Sequence, residues 1–319
     1  MANCKKCKYT AIGGQALIEG IMMKSPQTSA LAVRIPDGSI DITYFNEKPL
    51  NQKNFFFKLP IVRGVVGFID SLLNGYKAMM ISAEKSGYAD ETDEKTGETK
   101  KLGEKAWAGI MAVASVLAVV LSVVLFMYLP RLAVGGLEKL FKITFVSFWR
   151  SVIEQTIKLI VFLGYIIAVS FMKDIRRVFA YHGAEHKTIF CFEAGLPLTV
   201  ENVKKQKRFH PRCGTSFMIL MIIISVIFST IIQLLFKDVY SNALVWTLVK
   251  IFMIPLICGV GYEVLRFCGR HDNLLTKIIS APGVLVQRIT TKEPDDSMIE
   301  VAIAAMTAVL PKEENNDNI

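Results

Sequence analysis

The sequence has no apolar leader, no regular cysteine framework, no internal repeat and only four histidines. The start, MANCKKCKYTAIGG, lacks the apolar core of a signal peptide, so the first insertion signal is expected to be an internal span. Six cysteines fall at irregular positions, two of them in or beside apolar blocks, which excludes a secreted disulfide scaffold. Cys4-x-x-Cys7 is half of a zinc ribbon without a second half, and two free thiols on a terminus are the simpler reading. Gly13-Gly14-Gln15 resembles a phosphate-binding turn but lacks the spacing of a nucleotide loop.

What the chain has in excess is apolar length. Its 319 residues are 52% hydrophobic, with a mean hydropathy of +0.40, beyond what a soluble globule of this size needs. The surplus lies in four blocks: Trp107 to Leu129 closed by Pro130, Val152 to Met172, the uncharged Phe217 to Phe236, and Leu244 to Phe267. Each reaches the roughly 20 residues that cross a bilayer as a helix. The net charge of +9 would suit nucleic acid, but the basic residues cluster beside these blocks, as the positive-inside rule describes. No specific nucleic-acid binding is therefore expected. Four spans place both termini on one side. Sixteen Lys and Arg flank the spans there, against five opposite (Arg131, Lys139, Lys142, Arg150 and Lys237), so the terminal side is read as cytoplasmic.

The fold expected is an α-helical integral membrane protein of about four transmembrane helices, in the cell (cytoplasmic) membrane. A small α+β cytoplasmic region precedes the spans and a helical segment follows them. Residues 1–87 would hold a β-hairpin, Ser29 to Ile35 with Ser39 to Phe45 around Pro36-Asp37-Gly38, and an amphipathic helix from about Pro60 to Ser86. The apolar stripe of that helix (Val62, Val65, Ile69, Leu72, Leu73 and Tyr76 among it) would pack on the hairpin; the alternative is the membrane surface. Glu19 and Arg63 could pair across this region. Residues 88–105 form a charged linker, 106–267 the membrane domain with a histidine-bearing loop at 173–216, 268–310 a helical segment, and 311–319 a tail of disordered composition. In the helical segment, an amphipathic stretch at 274–288 precedes a helix with Ser297 and Glu300 at capping-box spacing.

Chemistry concentrates in the 173–216 loop. His182 and His186 are four apart, so on a helix they share a face and can grip one ion. With Glu185 between them they read His-x-x-Glu-His, in which the glutamate is a general base beside a catalytic zinc. Gly183 weakens such a helix by about 1 kcal/mol relative to alanine. His210-Pro-Arg-Cys213 offers a nitrogen and a sulfur ligand on a rigid turn, and Glu193 and Glu201 are further oxygen donors in the loop. The set suits zinc or another divalent transition metal. The competing reading is an interfacial loop that is merely solvated, with Cys213 an ordinary buried thiol. Within the apolar blocks, Lys250 has no evident partner, and Glu263 should face protein, water, a metal or Arg266.

The segments IGGQALIEGIMMKSP, AVRIPDGSI, RGVVGFIDSLLNGYKAM, YHGAEHKTIFCFEAG, LTVENVKKQKRFHPRCGTSF, GVGYEVLRF and PGVLVQRITTKEPDDSMIEVAIAAM together resemble the bacterial YqhQ-like family, in order and over nearly the whole chain. The resemblance implies a membrane protein of unknown function, predicted to be metal-dependent. Carried onto this chain, it points to His182, Glu185, His186, His210 and Cys213. Two functions of different class follow. One is a zinc-dependent hydrolase with metal ligands His182, His186, His210 and Cys213, and Glu185 as base, at the membrane interface. The other is a non-enzymatic scaffold in contact with membrane lipids, whose terminal segments bind a partner membrane protein or cytoplasmic complex, any metal being structural. A transporter, hinted at by Lys250, Pro255 and Glu263, is a weaker third, although a homo-oligomer would supply more helices.

Overall fold

The computed structural model describes residues 10, 12–45, 54–88, 90–92, 99–101, 104–211, 213–236, 243–271 and 273–310. Cys4, Cys7 and the 311–319 tail lie outside them, as does half of the 88–105 linker. Four antiparallel strands follow one another in a meander: β1 (Gly13–Leu17), β2 (Gly20–Lys24), β3 (Ser29–Arg34) and β4 (Ile40–Phe45). Gly38, at φ +87°, closes the β3–β4 turn, where the Asp37 carboxylate accepts from the Ser39 amide at 2.8 Å. The expected hairpin is thus half of a larger sheet. Its other half, β1 and β2, turns at Ile18-Glu19, with Glu19 left-handed at φ 50°.

Side chains alternate across a strand, and here both faces are covered. Ile21, Met23, Ala30 and Ala32 share one core with residues of α5 (Lys173–Glu193) and α10 (Asp296–Val309). Leu17, Met22, Leu31 and Val33 meet Ala78, Met79 and Ile81 of α1 (Val62–Lys85) on the other face. Burial on both faces is why β2 and β3 read as apolar runs rather than as an alternation. It also unites the start, middle and end of the chain in one three-layer unit.

The buried face of α1 differs from the stripe expected to pack. Gly64, Asp70, Gly75, Ala78, Ser82 and Ala83 are buried, whereas Ile69, Leu72, Leu73 and Tyr76 stay exposed. Small residues win because neighbouring groups come close: a Cβ on Gly75 would stand 3.0 Å from the side-chain Nε2 of Gln15, and one on Gly64 would stand 2.7 Å from Tyr262 Cβ and 3.0 Å from Gly259 Cα.

Among the described residues four helices are long and apolar enough to cross a membrane, covering Gly109–Phe141, Phe148–Val169, Gly214–Leu235 and Leu244–Cys268. The first runs past its expected end. It is built from α2 (Glu104–Val123), a π-helical turn (Val124–Tyr128) and α3 (Leu129–Phe141). Pro130 directly follows the π-helical turn, and the helix continues through it instead of stopping there. The others are α4 (Ser147–Val169), α7 (Gly214–Leu235) and α8 (Ala243–Arg270), the last with Pro255 inside it. Between α4 and α7 stand α5 and the short α6 (Val200–Lys204), so most of the expected 173–216 loop is helical. After α8 comes α9 (Leu274–Thr290), capped by Asn273, and then α10. The cap of α10 is Asp295, whose carboxylate accepts from the Met298 amide at 2.9 Å, rather than the expected Ser297. Glu300 instead pairs with Arg34 at 2.7 Å.

Glu19 and Arg63 do not pair with each other. The Glu19 carboxylate takes Arg177 and the Tyr181 hydroxyl, the latter at 3.0 Å, tying the β1–β2 turn to α5. Arg63 takes Glu263 through both guanidinium arms, which fixes α1 to α8. Both side chains are about three-quarters shielded. We expect Arg63→Met to lower thermal stability in detergent by about 1–2 kcal/mol, because Glu263 keeps its desolvation cost without its partner. The exchange of Arg63→Glu with Glu263→Arg should recover part of that loss. No recovery would mean that the pair is not what joins these helices.

Candidate metal centre

Helix α5 places His182, Glu185 and His186 within one turn and a residue, and Cys213 caps the start of α7. These elements converge so that the donor atoms of His182, His186 and Cys213 all lie within 4.8 Å of one another. His182 Nε2 is 3.0 Å from Cys213 Sγ, and the two imidazole centroids are 4.3 Å apart.

The other side of each ring is held by backbone. His182 Nδ1 lies 2.9 Å from the Thr290 carbonyl oxygen, and His186 Nδ1 lies 2.5 Å from that of Arg208. A carbonyl only accepts, so both Nδ1 atoms carry a proton, and in the neutral ring Nε2 is then the atom that keeps a lone pair. His186 is 1% exposed, and among the described residues its Nε2 has no hydrogen-bond partner of normal geometry. Burial holds the His186 imidazole below its ordinary pKa, which favours the neutral, ligating form. Burial pushes the Cys213 thiol up, but the neighbouring His186 ring and Thr215 outweigh it and leave the thiol below its usual range. Two imidazoles aimed by backbone carbonyls, beside a buried thiol, form a donor set that fits zinc.

Glu185 is 4% exposed, and burial pushes its carboxyl up to about 8 against the opposing pull of His182. Its carboxyl packs on Gly14 of β1, where a Cβ would come 2.9 Å from both Cδ and Oε1. The Gly14 amide donates to it. Gly13-Gly14-Gln15 is therefore no phosphate turn but the strand that covers this carboxylate. Its signal in the sequence was the glycine pair, which permits this approach.

His210 stands beside the three-donor group rather than among it. Its ring centroid is 5.6 Å from that of His186 and 4.6 Å from that of Phe190, and its Nε2 is 3.8 Å from Glu193 Oε2. Its backbone is clamped by Gln287, which accepts from the His210 amide and donates to the His210 carbonyl, each at 2.7 Å. Glu201 is exposed on α6, and His271 is exposed against Phe267 at the end of α8. Thr290, Arg208 and Gln287, which aim the cluster, were not found from the sequence. The first two act through carbonyls, which carry no side-chain signature.

Residues 59–312 match the family described as "Protein of unknown function (DUF1385)". The chain belongs to this family. It is 35% identical over 308 residues to "Uncharacterized protein YqhQ" of Bacillus subtilis (strain 168), an alignment covering 94% of this chain and 92% of that one. No solved structure matches the chain.

Proposed function

We propose that this chain is a multi-pass protein of the cell membrane, with both termini cytoplasmic, that binds one zinc or similar divalent transition-metal ion at the membrane interface. His182 Nε2, His186 Nε2 and Cys213 Sγ hold the ion. The observation that carries this reading is the pair of Nδ1-to-carbonyl contacts, which leave two Nε2 lone pairs beside one thiol. Zinc at that position would supply Lewis acidity toward an oxygen-bearing substrate or water. Glu185 would hold or release a proton next to the ion, and Gly14 keeps its carboxyl in place. This is the arrangement of a metal-dependent hydrolase. The sidedness rests on the basic residues flanking the spans.

The burial of Glu185 and His186, at 4% and 1% exposed, favours a second reading in which the ion only fastens α5 to α7. The protein is then a scaffold for a partner membrane protein or cytoplasmic complex, and His210, beside the three donors, would close the shell. The fourth position decides between the two. Replacing the ion by cobalt(II) gives a visible spectrum that reports coordination. A spectral change on adding azide marks an open position and supports the hydrolase. No change at saturating azide marks a closed, structural site.

A further inference from the structure

A second group of polar side chains lies between the apolar helices, at the ends opposite the His–Cys cluster. Glu154 of α4 and Lys250 of α8 pair at 2.7 Å, with side-chain exposures of 5% and 18%. One turn along α4 is Lys158, half-buried on the same stripe. Among the described residues Lys158 has no hydrogen-bond or ion-pair partner, and the charges acting on it are those of Lys250 and Glu154. Ser151 and Thr230 approach at 3.4 Å, joining α4 to the last turns of α7. Gln155 and Gln233 are 4% and 1% exposed, and among the described residues Gln155 Oε1 and both amide atoms of Gln233 have no partner. Trp246 is buried here, its ring centroid 5.3 Å from Lys250 Nζ.

An ionisable group within an apolar span costs several kcal/mol unless something meets it, so such residues mark sites. Glu154 meets Lys250 and leaves Lys158 over. The group therefore carries one net positive charge, with an unused amide donor and two unused amide oxygens. A plain carboxylate would answer the charge and the donor but not the acceptors. A phosphate that also carries hydroxyl hydrogens answers all three.

We propose that the ends of α4, α7 and α8 opposite Cys213 enclose a site for an anionic phosphate bearing hydroxyl groups, held between Lys158 and Lys250 with Gln155 and Gln233 on its hydroxyls and oxygens. Doubly protonated inorganic phosphate, with one negative charge and two hydroxyls, has this chemistry, and so does a phosphatidylglycerol headgroup. The proposal rests on the membrane reading of these helices and not on the metal reading. A chain that stays soluble without detergent would remove the membrane reading by itself.

The test uses full-length protein with Trp107→Phe and Trp149→Phe, so that Trp246 alone reports. In phosphatidylcholine nanodiscs, titration with inorganic phosphate at constant ionic strength should change Trp246 emission saturably. If the source is lipid, nanodiscs containing phosphatidylglycerol should show the change without added phosphate. Either result supports the site. Lys158→Met should weaken the response by about tenfold or more and, in phosphate-free phosphatidylcholine nanodiscs, should melt no lower than its parent, since the fold gives Lys158 no partner. Lys158→Arg should keep the response. The proposal is overturned by silence in both lipids, by a response that survives Lys158→Met, or by a lower melting midpoint for that variant.

Discussion

Stripping the purified protein with a strong chelator should lower its melting midpoint by about 10 °C. A ligand that binds only the folded state stabilises it by roughly 4 kcal/mol when its free concentration is a thousand times its dissociation constant. For a chain of this length, each kcal/mol moves the midpoint by about 2–4 °C. The effect should be this large because of what the three donors join. Helix α5 carries two of them and shares its core with the sheet and α10, while Cys213 begins α7. Losing the ion also leaves the buried His186 Nε2 without a partner, a state that costs about 1–3 kcal/mol on its own. His186→Ala and Cys213→Ser should each bring elemental analysis from about one metal per chain to none. The chelator should then no longer move the midpoint. If treated and untreated wild type melt together, and no metal is taken up after reloading with zinc, the metal reading fails.

The apolar spans and the histidine pair were legible because both are local signals. An uncharged run such as Phe217 to Phe236 needs only its length to be read, and His182 and His186 share a helix face through spacing alone. What escaped depends on residues far apart in the chain. Strand β1 was hidden because Gly13 and Gly14 read as a turn, yet one packing partner of Gly14 is Glu185. Lys250 had no visible partner because Glu154 is 96 residues away. The apolar stripe of α1 was read as its packing face. The residues of α1 that are fully buried against the sheet and α8 are mostly glycines and small side chains, which carry little hydropathy signal. Exposed apolar residues on α1 then need lipid or a partner. A local helix-capping rule chose Ser297 at the start of α10, and the backbone chose Asp295 two residues earlier.

Gly183 gives the sharpest separation between a local and a tertiary expectation. Within an isolated helix, Gly183→Ala should stabilise α5 by about 1 kcal/mol. In the folded protein the added Cβ would overlap the Lys292 carbonyl oxygen, and it would lie 3.2 Å from Lys292 C and 3.4 Å from Pro294 Cδ. None of these atoms ends a flexible side chain, so none can rotate away. The segment cannot simply recede either. The Lys292 amide donates to the Phe179 carbonyl at 2.8 Å, and two residues earlier the Thr290 carbonyl orients His182. We therefore expect Gly183→Ala to destabilise the protein by about 1–3 kcal/mol, and to weaken metal binding by about 10- to 100-fold as Thr290 is displaced from His182 Nδ1. Gly67→Ala is the control. It lies in α1 with nothing within 4 Å of the added Cβ, so the helix preference should act alone and the variant should gain up to about 1 kcal/mol. Opposite signs for the two alanines would place the segment after α9 directly against the histidine helix. If both alanines stabilise, Lys292 is not packed on Gly183 and the contact that aims His182 is lost with it.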